Sequence, residues 1–272
     1  MSFLNHKYFH VSVRFLLIFL VALAICFLLP GEIPGTVDVV INVEETMEAG
    51  LTFSFGVGTI VEVILMGPVF VIIYYILLKN MLGRIDVEQG KNKKKIYTLE
   101  LFAVMLICMV IIGHVVHLMF DYGNALFRSG YGGYDTSSEL FLFLYHSDEW
   151  VGHHLIHVGF FGFIVLALIG ESFISDKRRM KWYEIIIMVP LGIGIFVMNG
   201  YASYEGQCGW IMMVLSAILL GAELVIIFVK WVNPLKYPIL FASIIGNIII
   251  IGYYIWYTAT FGTLPFYPFA PQ

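Results

Sequence analysis

The segment TLELFAVMLICMVIIGHVVHLMF, residues 98–120, is long and apolar enough to cross a bilayer, yet it carries two histidines near one end. A membrane-spanning helix needs about 20 mostly apolar residues. The acidic and imidazole side chains of this segment are confined to Glu100, His114 and His117. Because ionisable groups are costly in a bilayer, they mark candidate functional sites by default. The segment therefore predicts both a membrane fold and the place of a site.

The composition of the whole chain supports the same interpretation. Of the 272 residues, 60% are hydrophobic and 12% are charged, whereas soluble domains carry about 25% charged residues. The net charge is −4 and the chain lacks the basic surface of a nucleic-acid-binding protein, so a nucleic-acid partner is not expected. The cysteines Cys26, Cys108 and Cys208 lack the spacing of a disulfide framework or a Cys-type zinc site. The fold class predicted is an all-α integral membrane protein.

Seven segments have the length and polarity required of a spanning helix, and they predict one seven-helix domain over residues 1–272. The segments are approximately 11–30, 56–78, 98–120, 150–170, 183–200, 208–229 and 238–260. The first is expected to remain as a helix, because no small-residue cleavage site of a signal peptide follows it. Residues 122–138 are expected to form a loop, and residues 139–146 to lie along the outer membrane surface.

Lysine and arginine are distributed unequally between the two sides of the predicted bundle. If the N-terminus is cytoplasmic, 14 of the 15 basic residues lie on the cytoplasmic side and only Arg128 lies outside. Loops rich in Lys and Arg stay in the cytoplasm, so the C-terminus is expected to be extracytoplasmic. The basic run 89–95 is interpreted mainly as a topology signal, although such runs also attract anionic lipid headgroups.

Six of the eight histidines lie between residues 114 and 157. On a helix, residues three and four apart share a face, so the third and fourth predicted helices each carry one polar stripe. The stripes consist of His114, His117 and Asp121 on the third helix, and of His146, Glu149, His153 and His157 on the fourth. Antiparallel pairing of these consecutive helices predicts that His117 lies near His153 and His114 near His157.

Facing stripes of imidazoles and carboxylates are typical of metal sites, because imidazole is the commonest metal ligand and carboxylates complete zinc and non-haem iron sites. We expect a divalent metal ion, zinc before iron or copper. The expected ligands are His114, His117, Asp121, His146, His153 and His157. Glu149 or Asp148 is expected to act as the general base toward a metal-bound water. Residues expected at the rim of the site are Glu62, His154, Tyr204 and Glu205.

The function favoured by this pattern is hydrolysis of a lipid or other apolar substrate that reaches the metal from the bilayer. An oxidoreductase with non-haem iron or copper is the first alternative. A proton-coupled transporter that depends on Glu62 or Glu223, or an electron carrier with bis-histidine haem, is the second. Membrane lipid is the expected partner. Packing of the histidines without any ligand is the remaining interpretation.

The predicted orientation can be tested by cysteine labelling in a variant without the three native cysteines. The Ser137→Cys variant should react with a membrane-impermeant maleimide in intact cells, because the charge distribution places this segment outside. The Asn92→Cys variant, in the basic loop, should react only after the cells are permeabilised. Labelling of Ser137→Cys from the cytoplasmic side alone would show that the orientation is inverted.

Overall fold

The computed structural model describes residues 9–31, 33–41, 51–83, 93–130, 139–174, 178–205 and 208–261. Within these ranges the chain is mainly helical. The side chains of a few residues inside the helices, among them Glu62, Asp121, Tyr204 and Glu205, lie outside the described part.

The helices follow one another along the chain with few interruptions. They are α1 (Val11–Gly31), α2 (Val57–Ile64), α3 (Phe70–Leu82), α4 (Lys93–Gly130), α5 (Glu139–His146), α6 (His153–Ser172), α7 (Trp182–Phe196), α8 (Ala202–Glu205), α9 (Gly209–Lys230) and α10 (Pro238–Phe261). Turns of π-helix join α2 to α3, α5 to α6 and α7 to α8, at Leu65–Val69, Ser147–Gly152 and Val197–Tyr201. A short 3₁₀ turn, Pro234–Lys236, precedes α10.

Six helical segments of the described chain are long and apolar enough to cross a membrane. They are Val11–Pro30, Lys93–Phe120, Phe141–Ser172, Trp182–Tyr201, Gly209–Lys230 and Pro238–Phe261, and each overlaps a predicted span. The predicted span 56–78 falls on α2, a π turn and α3, of which Phe70–Leu82 is a shorter apolar helix. Pro68 lies in that π turn and has no N–H to donate. The chain is a helical protein of the membrane type. The span at residues 56–78, which would bring the number to seven, stays a prediction.

The prediction of a loop at residues 122–138 is wrong for residues 122–130. Helix α4 continues to Gly130, and residues 131–138 lie outside the described part. Residues 139–146 form α5, which leads through a π turn into α6, so the backbone is helical from 139 to 172. The sequence of α5, ELFLFLYH, contains no glycine or proline that would break a helix.

A small β-hairpin departs from the predicted all-α architecture. Strands β1 (Thr36–Ile41) and β2 (Leu51–Gly56) pair antiparallel, with Thr36 opposite Gly56 and Ile41 opposite Leu51. Their sequences, TVDVVI and LTFSFG, are rich in the β-branched and aromatic residues that favour strands. A search for long apolar segments overlooks strands of this length.

An aromatic cluster packs α6 against α1 and α3. Phe19 and Phe70 have ring centroids 5.4 Å apart, Phe70 and Phe160 5.6 Å, and Tyr74 stacks on Phe163 at 4.1 Å. All five side chains are fully buried. Aromatic pairs of this kind add to the free energy gained by burial, so the middle of α6 is held firmly within the bundle.

Two buried carboxylates tie helix ends together at the end of the bundle where α6 finishes. Glu171 of α6 accepts hydrogen bonds from the backbone N–H groups of Ile239 and Leu240 in the first turn of α10, both at 3.1 Å. Glu184 of α7 accepts two bonds from the guanidinium of Arg178 and one from the N–H of His10 at the start of α1. A carboxylate is favourable at a helix N-terminus, so both contacts position helices relative to each other.

Candidate metal centre

Helix α4 and the π turn before α6 approach each other closely at two glycines. A Cβ added to Gly152 would lie 2.9 Å from the backbone nitrogen of His117, and one added to Gly113 would lie 2.8 Å from the carbonyl oxygen of Gly152. Neither position has room for a side chain, because the neighbouring atoms belong to the backbone. Small residues allow such close helix contacts in membranes. The contact brings the residues beside Gly152 against α4.

Three polar side chains meet at this crossing, namely His117 of α4, Asp148 of the π turn and His153 of α6. The His117 Nδ1 atom lies 2.5 Å from Asp148 Oδ1. The imidazole rings of His117 and His153 contact each other edge to face, with centroids 4.5 Å apart and an interplanar angle of 63°. One nitrogen or oxygen atom from each residue lies within 4.8 Å of the other two. These residues, called the His–Asp–His group below, form a compact set of metal-type ligands.

The π turn explains why Asp148 shares a face with His153. The N–H of His153 donates to the carbonyl oxygen of Asp148, five residues earlier, as expected of a π-helix. In an α-helix, side chains five positions apart point in directions about 140° apart. The wider π turn brings them onto one face, so that Asp148 and His153 both point toward α4.

Further ionisable side chains surround the His–Asp–His group. The Glu149 Oε2 atom lies 3.9 Å from His153 Nε2. The ring of His157, one turn further along α6, is nearly parallel to that of His153 at a centroid distance of 6.1 Å, and it also contacts the backbone of Met198 in the π turn after α7. His114, one turn before His117, is 5% exposed. The polar stripe therefore continues beyond the His–Asp–His group on both helices, toward the start of α4 and toward the end of α6.

The structure brings together part of the ligand set expected from the sequence. His117 lies against His153, as the antiparallel pairing of the stripes predicted. Asp148, expected as a general base, contacts His117 instead. His114 and His157 are buried, but within the described chain neither belongs to the set of ligand atoms that lie within 4.8 Å of one another. His146, at the end of α5, lies outside that set too and packs its ring 5.8 Å from Tyr145.

The expected rim residues are only partly described. The side chains of Asp121, Glu62, Tyr204 and Glu205 lie outside the described part of the chain, so their places at the site stay predictions. His154 is described, and within the described chain it does not belong to the set of ligand atoms that lie within 4.8 Å of one another. Its ring stacks on Trp150 at 5.2 Å and lies 6.5 Å from Trp210 of α9.

Three contributors to the site were missed at the sequence level: Gly113, Gly152 and the backbone of Met198. Each glycine directly precedes a histidine of the cluster, His114 or His153. Since glycine at a helix contact is typical of membrane bundles, this adjacency is a usable signal. Met198 contributes a backbone group, for which the sequence contains no signal.

The site adjoins an exposed apolar surface of the bundle. The side chain of His117 is 28% exposed, whereas that of Asp148 is 7% exposed. Large apolar residues on the same turns are exposed, namely Val115 and Met119 on α4 and Trp150 and Val151 on the π turn. The surface beside the imidazoles is therefore apolar.

No known protein family, curated protein or solved structure matches this chain, so the chemistry of the site is inferred from its geometry. Two imidazoles and one carboxylate are a ligand set of catalytic zinc sites and of non-haem iron sites. Ligand atoms of a tetrahedral zinc ion are roughly 3.4 Å apart, given bonds of about 2.0–2.2 Å. The ligand atoms of His117, Asp148 and His153 lie within 4.8 Å of one another, so small side-chain rotations would bring them to this spacing.

The glycine contact generates a prediction about stability. The Gly152→Ala variant should lower the free energy of unfolding by about 1–3 kcal/mol, because the added methyl group meets the backbone of His117 and must push α4 away. Thermal unfolding in detergent, followed by circular dichroism, measures this. The matched control is Gly221→Ala in α9, where an added Cβ has no atom within 4 Å. Equal unfolding temperatures for the two variants would contradict the close contact.

Proposed function

We propose that the protein is an integral membrane metalloprotein in which His117, Asp148 and His153 bind one divalent metal ion. The observation that carries this proposal is the convergence of these three side chains, from two helices, within 4.8 Å. An opposite charge stabilises a carboxylate buried in a membrane protein. A cation supplies that charge and uses the lone pairs of both imidazoles. Three protein ligands leave a coordination position open, as in catalytic zinc sites.

The contact between the two imidazoles disfavours haem as the bound group. In a bis-histidine haem protein, the axial imidazoles bind the iron from opposite sides of the macrocycle. The rings of His117 and His153 instead touch edge to face at 4.5 Å, which leaves no space for a macrocycle between them. A small ion fits this geometry better.

The reaction we propose is hydrolysis, with Glu149 as the general base. A zinc ion held by His117, Asp148 and His153 would supply activation of water at neutral pH. The Glu149 carboxylate lies 3.9 Å from His153 and is partly exposed, with 19% of its side-chain surface accessible. A carboxylate beside one of the proposed ligands would be placed to accept a proton from the attacking water and to return it to the leaving group.

A lipid-like ester or amide is the substrate class we propose. The exposed apolar side chains of Val115, Met119, Trp150 and Val151 support approach from the bilayer rather than from water. We also propose that residues 1–272 form one seven-span domain with a cytoplasmic N-terminus and an extracytoplasmic C-terminus. This orientation is supported by the distribution of Lys and Arg, and it would place the metal in the outer half of the membrane.

Oxidation at a non-haem iron or copper ion is the second candidate function. The observation that favours it is the composition of the His–Asp–His group, since two histidines and one carboxylate form the facial triad of non-haem iron oxygenases. The identity of the bound metal separates the two candidates.

Elemental analysis of the purified protein tests the metal centre. The wild type should contain about one metal ion per chain, with zinc indicating hydrolysis and iron or copper indicating oxidation. The variants His117→Ala, Asp148→Asn and His153→Ala should lose most of the metal, and chelation should lower the unfolding temperature of the wild type, because a ligand that binds only the folded state stabilises it.

Two histidine variants serve as matched controls for metal content. The variants His154→Ala and His146→Ala should keep the metal, because these rings pack on Trp150 and Tyr145. A wild-type metal content in His153→Ala would contradict ligation by His153. Loss of the metal in His154→Ala alone would show that the other face of α6 binds it.

Activity measurements test the role of Glu149. In lipid nanodiscs, Glu149→Gln should retain the metal but hydrolyse a fluorogenic lipid ester about 10²–10⁴-fold more slowly, as expected for loss of a general base. The control is Glu139→Gln, at the exposed start of α5, which should hydrolyse at the wild-type rate. Unchanged turnover in Glu149→Gln would exclude this residue as the base while leaving the metal centre itself untouched.

A further inference from the structure

A groove with a volume of about 580 Å³ lies between α4 and α6. Its wall on α4 includes Leu99, Phe102 and Leu106, and its wall on α6 includes Phe161 and Ile169. The cationic end of the groove is far from the metal centre, because its lysines begin α4 and His117 follows Lys94 by 23 residues, or about 35 Å of helix. The other end of the groove reaches Val158 of α6, five residues after His153.

Polar groups are concentrated at one end of this groove. Lys94, Lys95 and Thr98 line it where α4 begins, and the remaining lining consists of apolar side chains and a glycine. The Lys95 Nζ atom lies 4.6 Å above the centroid of the Phe173 ring, at the end of α6. This contact holds an ammonium group over the mouth of the groove. The groove therefore has a cationic mouth and a hydrocarbon-lined interior.

The length of the groove matches the depth of one leaflet. From Lys94 to Leu106 the helix rises about 18 Å, and half of the hydrocarbon core of a bilayer is about 15 Å. The volume also falls within the range of small-molecule binding sites, which is about 300–1,000 Å³. An acyl chain that extends from the lysines would thus reach the middle of the membrane.

We propose that this groove binds an acyl chain of an anionic phospholipid, whose phosphate lies against Lys94 and Lys95. The two ammonium groups favour a headgroup with net negative charge over a zwitterionic one. The apolar walls provide contacts that free phosphate cannot make. The headgroup of this lipid would lie about 35 Å along α4 from His117, where the proposed substrate would bind.

Native mass spectrometry of the full chain tests the proposal, after reconstitution with equal amounts of phosphatidylglycerol and phosphatidylcholine of the same acyl chains. The wild type should retain phosphatidylglycerol preferentially. In the Lys94→Gln/Lys95→Gln variant, the ratio of retained phosphatidylglycerol to phosphatidylcholine should fall about fivefold for each lysine removed. The control variant Lys230→Gln/Lys236→Gln removes two cations at the ends of α9 and of the 3₁₀ turn. Neither lysine lines this groove, so this variant should keep the preference for phosphatidylglycerol.

A variant that fills the groove separates a bound chain from surface attraction of the headgroup. Ile169 is 43% exposed, so Ile169→Trp should keep the unfolding temperature of the wild type while occupying the groove. It should reduce retention of phosphatidylglycerol, and inorganic phosphate should not displace the lipid from the wild type. Equal retention of both lipids by the wild type would overturn the proposal. So would unchanged retention in Ile169→Trp, or displacement by phosphate.

Discussion

The contact between the backbones of α4 and the π turn is the constraint on which the candidate site depends. Gly113 and Gly152 leave no space for a Cβ at this crossing, so the two helices can approach until their polar stripes touch. Helix α6 is held at its other end by Glu171 and in its middle by the aromatic cluster. Because packed helices deform little, these three contacts together determine where His153 lies relative to His117.

The π turn adds a second constraint, which decides which carboxylate joins the histidines. A π turn is rare in proteins and often occurs at functional sites. Here Asp148 and Glu149 both lie within it, and Asp148 faces His117 whereas Glu149 lies beside His153. The turn thus gives two adjacent carboxylates different surroundings, one inside the group of ligands and one at its edge. In the proposed hydrolysis this difference separates a ligand from a base.

Regular periodicity accounts for what could be predicted from the sequence. Apolar length predicts the six long helices, and the spacing of His117 and His153 predicts their contact. A pattern with 3.6 residues per turn places Glu149, not Asp148, on the stripe with His153, because no proline marks the π turn in the sequence. The short β-hairpin and the extension of α4 to Gly130 were missed because neither depends on the length of an apolar span.

The carboxylates of the bundle differ in whether their hydrogen-bond partners can exchange a proton. Glu171 and Glu184 accept hydrogen bonds from backbone N–H groups, and Glu184 also accepts from a guanidinium. None of these donors gives up its proton at physiological pH. The partner of Asp148 is an imidazole, whose nitrogens lose and gain protons readily. In the proposed metal centre, a cation would take the place of the proton in the hydrogen bond between His117 and Asp148. Metal binding at this pair would therefore release a proton, which makes these two side chains, unlike the structural carboxylates, suited to exchange one cation for another.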